Sequence, residues 1–243
     1  MAITIRRIVG DVKKSSAGRT RRPDLTAGAV VGLAVEIADR EGLAAVSMRR
    51  LASELSVTPM ALYWHFSDKS HLLDSMAEHV VAEAAFVDEA KDAWADRYRQ
   101  TLVALVAMLR AHPWANRLVI ERLVPLPNYL AALEIMLDCL RVAGLTPSLG
   151  AVVAQQSVQS MAVLVEYRPG RADAAANDPA ECRRVAAALS SLDDTVFPNV
   201  GAAVVPLTSP PDTELYFRLG IETNVRGVAA LAGVSQPSHQ QYP

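Results

Sequence analysis

Cysteine is nearly missing from this sequence: Cys139 and Cys182 are the only two in 243 residues, and they do not make a CxxC pair. That excludes a disulfide framework or a thiolate zinc site, and both read as reduced thiols, Cys139 in a core. Histidines number five, and none has a Glu three residues before it, the pairing that a dinuclear metal site in a helical bundle requires. Asp68 to His71 is the nearest spacing. No glycine-rich phosphate loop and no nucleophile elbow occurs. Long apolar runs are missing too, since Arg6 and Arg7 interrupt Ile3 to Val9 and no stretch nears the ~18 residues that a spanning helix needs. No alternating segment is long enough to force a sheet. The expectation is a cytoplasmic, all-α protein with no cofactor, metal, catalytic residues or membrane partner.

What is present is apolar helix. Hydrophobic residues make up 51% of the chain, enough to bury one large core or two modest ones. The net charge of -2 is unevenly spread. Residues 1–22 hold Arg6, Arg7, Lys13, Lys14, Arg19, Arg21 and Arg22 against the single Asp11, so the remainder is acidic. Such an arm reads as disordered and suited to phosphates or the minor groove, or else as a solvated tail.

The stretch from Ser47 to Leu73 organises the rest. Leu51, Ala52 and Leu55 share a helical face, the pattern breaks at Ser56 and Val57, and it resumes with Leu62 and Phe66 after Thr58 and Pro59. Ser47 and Thr58 are placed to cap two short helices, Pro59 sits where a helix needs no amide hydrogen, and Ser67 is a third candidate cap. This is a helix-turn-helix pattern. Pro59, Met60 and Ala61 stand at the N-terminal end of the second helix, the end that meets base edges in a major groove. Tyr63, His65 and Lys69 offer groups where phosphates would run. Trp64 can either pack its ring on the domain or present an edge to DNA.

Upstream, Asp24 or Thr26 can cap a helix to about Arg40, with Val30, Leu33, Ala34 and Ile37 buried and Glu41-Gly42 ending it. Downstream, a helix from Asp68 to about Asp88 leads away from this three-helix head. Further helices are expected at about 91–111, 114–122, 127–143, 147–168, 179–192 and 211–232, with breaks at His112-Pro113, Pro125 to Pro127, Gly144 to Pro147, Pro169-Gly170 and Phe197 to Pro211. The expected organisation is a basic arm at 1–22, a DNA-binding head at 23–70, a ligand-binding and dimerisation bundle at 71–234 and a disordered tail at 235–243. A mobile loop is expected at 170–180.

PMALYWHFSDKSHLL resembles the recognition helix and following segment of TetR-type transcriptional regulators, and RRLASELSV resembles the helix before it. The likeness covers about residues 24–80. It implies that Arg49 meets a base or nearby phosphate, that Pro59, Met60 and Ala61 face bases, and that Tyr63, Trp64, His65 and Lys69 hold the backbone, with Ser47 and Thr58 at the helix starts. One departure is Ser56, where the family most often has Gly. A left-handed Ser there would cost roughly 1 kcal/mol. The resemblance also implies a homodimer, formed through the last two long helices, on a palindromic double-stranded operator, with repression relieved by a small-molecule effector. A helical ligand-binding or partner-binding protein without specific DNA recognition is the competing reading.

Candidates for the effector pocket are Met108, His112, Trp114, Asn128, Gln155, Gln156, Gln159 and Glu166, polar or aromatic groups within a mainly apolar bundle. His112, Asn128 and Glu166 fall near ligand contacts of tetracycline-binding members. Ala85 and Val158 stand where those members carry histidines used with the drug and its metal. The expected effector is therefore an uncharged or weakly polar organic molecule rather than tetracycline with magnesium.

Overall fold

The computed structural model describes residues 25–84, 86, 93–121, 125–168, 179–209 and 212–233. The basic arm 1–22, Asp24, Ala85 and the tail 235–243 lie outside the described residues, as does the expected loop up to residue 178. Residues 179 and 180 already belong to a helix.

Among the described residues the chain is helical with no strand. Helix α1 runs Ala27–Glu41, where Thr26 Oγ1 accepts the Ala29 amide hydrogen at 3.2 Å. Gly42, at φ 83°, ends it in a conformation that favours glycine. An unforeseen 3₁₀ turn at Leu43–Ala45 leads to α2, Met48–Glu54, capped by Ser47 as expected. Helix α3 spans Pro59–Tyr63, and α4 spans Lys69–Glu83. The α4 cap is Asp68 rather than Ser67, because Asp68 Oδ1 accepts the His71 amide hydrogen at 2.8 Å. That bond holds the Asp68 carboxyl below its ordinary range. Helix α4 also stops short of Asp88, since Ala84 turns extended.

The larger bundle contains α5 (Trp94–Ala111), α6 (Ala115–Glu121), α7 (Pro127–Val142), α8 (Pro147–Glu166), α9 (Pro179–Ser190), α10 (Pro198–Thr208) and α11 (Thr213–Gly233). Helix α10 replaces the break expected over Phe197 to Pro211. Pro198 opens it, where the missing amide hydrogen costs nothing, and Pro206 lies only in its last turn.

One continuous core links head and bundle. Helix α4 makes the join, packing on α1 of the head and on α6 and α7 of the bundle. At the centre of the bundle, α5 lies against α7, α8 and α11. Tyr98, fully buried, donates to Ser157 Oγ at 2.6 Å, and Ser157 Oγ lies 3.1 Å from Asn224 Oδ1, so one polar chain ties α5, α8 and α11 together. Desolvation pushes the Tyr98 phenol up to about 12. Buried Arg97 pairs with Asp138 at 2.9 Å, and Arg141 and Arg97 together hold that carboxyl below its usual value.

Helix α8 corrects one expectation. At 20 residues, with a mean hydropathy of 1.3 over an 18-residue stretch, it is long and apolar enough, by length and composition, to cross a membrane. The reason is Ala, Val and Gln in place of charge, and its buried face is taken up by α5, α6, α7 and α11. Helices α9 and α10 behave differently, packing chiefly on each other and burying no residue.

Candidate nucleic-acid interface and effector cavities

The turn between α2 and α3 is closed by its backbone. The Val57 amide donates to Ala52 O at 2.9 Å and the Ser56 amide to Ser53 O at 3.2 Å, with Ser56 left-handed at φ 54°. This is the helix-ending arrangement in which glycine is usual. Gly144 occupies the same position after α7, where the Leu145 amide donates to Leu140 O at 3.1 Å. Ser56 therefore bears the strain expected from the sequence.

The face is built outward from that turn. Leu62 and Phe66 are buried and fasten α3 to the head, while Leu55, read as core, is only half-buried. Anchored in this way, α3 turns its other side to solvent, with Met60 68% exposed, Tyr63 47% and Trp64 85%. Trp64 does not pack on the domain. Thr58 and Pro59 are exposed at the helix start, Ala61 and His65 are half-buried, and the Thr58 side chain makes no capping bond. The His65 ring lies 6.4 Å from that of Phe66.

Two arginines on α2 divide their work. Arg50 bonds Glu41 at 3.1 Å and Glu54 at 2.8 Å, fixing α2 to the end of α1. Arg49 is exposed, and its side chain, like those of Tyr63 and Lys69, forms no hydrogen bond or ion pair among the described residues. Ser47 is half-buried, its hydroxyl spent on the Arg50 amide at 3.2 Å. The result is an exposed face with cationic and phenolic groups that have no partner among the described residues, around a short helix.

The effector candidates do not converge on one cavity. Met108 is buried and lines both an inner apolar cavity of about 50 Å3, with Val81, Phe86, Tyr129, Met136 and Val158, and an outer groove of about 620 Å3 between α4 and α5. His112 lines the groove, but its Nδ1 lies 2.9 Å from Asp39 of α1 and its Nε2 3.4 Å from Glu83. Trp114 donates Nε1–H to the same Asp39 oxygen at 2.6 Å. Glu166 accepts from Asn116 Nδ2 at 3.2 Å, and Trp114 and Glu166 face a separate cleft between head and bundle. Asn128 is held at the α7 start by Glu78, which accepts its backbone and side-chain N–H groups at 2.8 Å each. Gln155, Gln156 and Gln159 are exposed on the outer side of α8. The helical phase of α8 decides this, because Val153, Ala154, Ser157 and Met161 occupy its inner side.

Sequence reasoning missed Asp39, Glu78 and Asn116. The first two join segments about fifty to seventy-five residues apart in the chain, and no local pattern marks such a pairing. Among the described residues no group of three or more His, Cys, Asp or Glu could hold a metal ion.

Comparison with known proteins agrees with this arrangement. Residues 31–76 match the family described as "Bacterial regulatory proteins, tetR family", and residues 87–231 match "Tetracyclin repressor-like, C-terminal domain". An HTH-type transcriptional regulator from Saccharopolyspora erythraea is 30% identical over 217 residues, covering 88% of each chain. An HTH-type transcriptional repressor from Streptomyces coeruleorubidus is 36% identical over 53% of this chain and 48% of its own. Among solved structures, apo ActR from Streptomyces coelicolor superposes with a TM-score of 0.73 at 30% identity, over 86% of this chain and 97% of that one. ActR in complex with actinorhodin gives 0.71 at the same identity, over 86% and 99%. With both halves matched and the helix-turn-helix head in place, the chain is a DNA-binding transcriptional regulator of the TetR family.

Proposed function

We propose that this regulator is a homodimeric repressor that binds a palindromic operator and is released by a small organic molecule. The observation that carries the DNA part is the set of exposed, unpaired Arg49, Tyr63 and Lys69 side chains around an α3 locked in place by Leu62 and Phe66. Pro59, Met60 and Ala61 face bases, Thr58 and Ser47 start the two helices at the phosphates, and Tyr63, Trp64, His65 and Lys69 hold the backbone. The organisation runs as a basic arm at 1–22, a DNA-binding head at 23–70, a ligand-binding and dimerisation bundle at 71–234 and a tail at 235–243. The protein works in the cytoplasm, by binding rather than catalysis, and without a membrane.

Exposed apolar side chains support the dimer. Val152 and Val163 on α8 and Leu215, Leu219 and Leu231 on α11 lie in solvent in a single chain. A Cβ on Gly220 would stand 2.5 Å from Leu164, so this glycine lets α8 and α11 approach closely enough to present one joint face. Two heads related by a twofold axis would then read half-sites about 34 to 36 Å apart or a multiple of that.

For the effector, the apolar wall around Met108 supports an uncharged or weakly polar ligand, and Val158 there offers no metal ligand. Val80 and Val81 of α4 line the outer groove and inner cavity respectively. A ligand that widens the inner cavity therefore pushes on the helix that carries the head. By linkage it must itself bind the DNA-bound form more weakly.

A gel-shift titration on DNA from upstream of the gene, at fixed salt with random competitor, tests this reading. Arg49→Ala with Tyr63→Ala should lower operator affinity about a hundredfold, at roughly 1–2 kcal/mol per charge-assisted or phosphate contact, while sedimentation still shows a dimer. Unchanged affinity would overturn the assigned DNA face.

A further inference from the structure

The head is attached to the bundle in two different ways. The principal packing partners of α1, α2 and α3 are one another, the 3₁₀ turn and α4, while α4 in turn packs on α6 and α7, so one helix serves as a stalk. A body carried on one stalk can tilt about it, and a second attachment through a different element removes that freedom. Asp39, in the last turn of α1, supplies such an attachment.

Two groups from the connection between α5 and α6 meet Asp39. Trp114 donates Nε1–H to Asp39 Oδ1 at 2.6 Å, and His112 Nδ1 lies 2.9 Å from the same oxygen. The two rings stand edge to face with centroids 5.9 Å apart, and Trp114 is buried, so each ring restricts the turning of the other. His112 also reaches a third element. Its Nε2 lies 3.4 Å from Glu83, in the last turn of α4, and Glu83 lies 3.0 Å from His79 as well. His112 and Glu83 both line the groove of about 620 Å3 between α4 and α5, with Val103, Ala107 and Met108. A single imidazole therefore separates this groove from the carboxylate that holds the head.

We propose that Asp39, His112 and Trp114 form a latch that fixes the tilt of the head, and that bulk introduced beside His112 in the α4–α5 groove opens it. Trp114 is the permanent half, buried and outside that groove, and His112 is the releasable half. All three are positioning residues, acting through the placement of α3. The latch adds a route through α1 to the push on α4 described above. Its consequence for the operator rests on the DNA face proposed there, whereas the latch itself does not.

The test uses the full chain with Cys182→Ser, spin-labelled through Ser53→Cys on α2 and Glu134→Cys on α7, both exposed positions, while buried Cys139 stays unlabelled. Dilution with unlabelled chain restricts the reading to separations within one chain. Pulsed dipolar spectroscopy should give one narrow separation. Asp39→Ala should broaden it about twofold, and Asp39→Asn, whose amide oxygen can still accept from Trp114, should keep it narrow. Trp114→Phe, which removes the N–H and keeps a ring, serves if the alanine variant does not fold. Ala107→Trp should broaden the separation as Asp39→Ala does and add nothing to it in the double variant. An unchanged separation in Asp39→Ala or in Trp114→Phe, or equal broadening in Asp39→Asn and Asp39→Ala, would overturn the latch. No change in Ala107→Trp would overturn its link to the groove. On operator DNA, Asp39→Ala should bind about tenfold more weakly. Broadening with unchanged DNA affinity would uphold the latch and count against its part in seating the heads.

Discussion

Helix α3 and the hairpin of α9 and α10 both expose large apolar side chains, yet they are held in opposite ways. In α3, Met60 and Trp64 face solvent while Leu62 and the following Phe66 are buried to 2% exposure or less. In the hairpin, Val205 and Leu207 are 72% and 63% exposed, and no residue of either helix is buried. Exposure alone therefore does not identify a surface. An exposed group on an anchored helix has a fixed position before any partner arrives, which recognition of DNA requires. Exposed groups on an unanchored hairpin gain their position only from whatever covers them.

The largest effect should come from removing the anchor. Leu62→Ala deletes a fully buried side chain and should destabilise the fold by about 2–5 kcal/mol, read from the denaturant midpoint. Leu207→Ser in the hairpin should leave stability within about 0.5 kcal/mol. Equal loss of stability in the two variants would break the distinction between anchored and unanchored elements.

A second, smaller effect tests the anchor of the bundle. Tyr98 titrates at about 12 when folded and at 10.0 when free, so the folded state favours the neutral phenol. Its contribution is fully present below pH 10 and is lost as pH rises toward 12, for up to about 2–3 kcal/mol. Hydrogen exchange over that range should rise first in α5, α8 and α11, with α2 and α3 less affected, and Tyr98→Phe should abolish the effect.

The smallest concerns the turn that aims α3. Ser56→Gly should stabilise the head by about 0.5–1 kcal/mol, because φ 54° costs glycine little. A loss of stability instead would mean that the Ser56 side chain matters beyond its backbone angle.

The head was the more legible half. Its caps at Thr26 and Ser47, its apolar spacing and its strained turn are local features, each set by residues within a few positions of one another. Trp64 needed the fold to settle it, since a tryptophan at that spacing serves equally as core or surface, and the fold also added the 3₁₀ turn at Leu43–Ala45, left Thr58 without a capping bond and Leu55 only half-buried. The effector candidates were less legible. Gln155 and Gln159 read as pocket groups but lie outside, and Trp114 and Glu166 belong to a different cleft from Met108.

By itself the sequence determined most of the helices, though not α10, many of their ends and the helix-turn-helix, because capping bonds and a 3.6-residue apolar period act over one or two turns. Only the tertiary structure decided that Asp39 would gather His112 and Trp114, that Glu78 would hold Asn128, and that Asn116 would be buried with an unpaired oxygen. Those outcomes depend on how whole helices stack, and the side chains that meet across a packed interface are set by crossing geometry rather than by their neighbours in the chain.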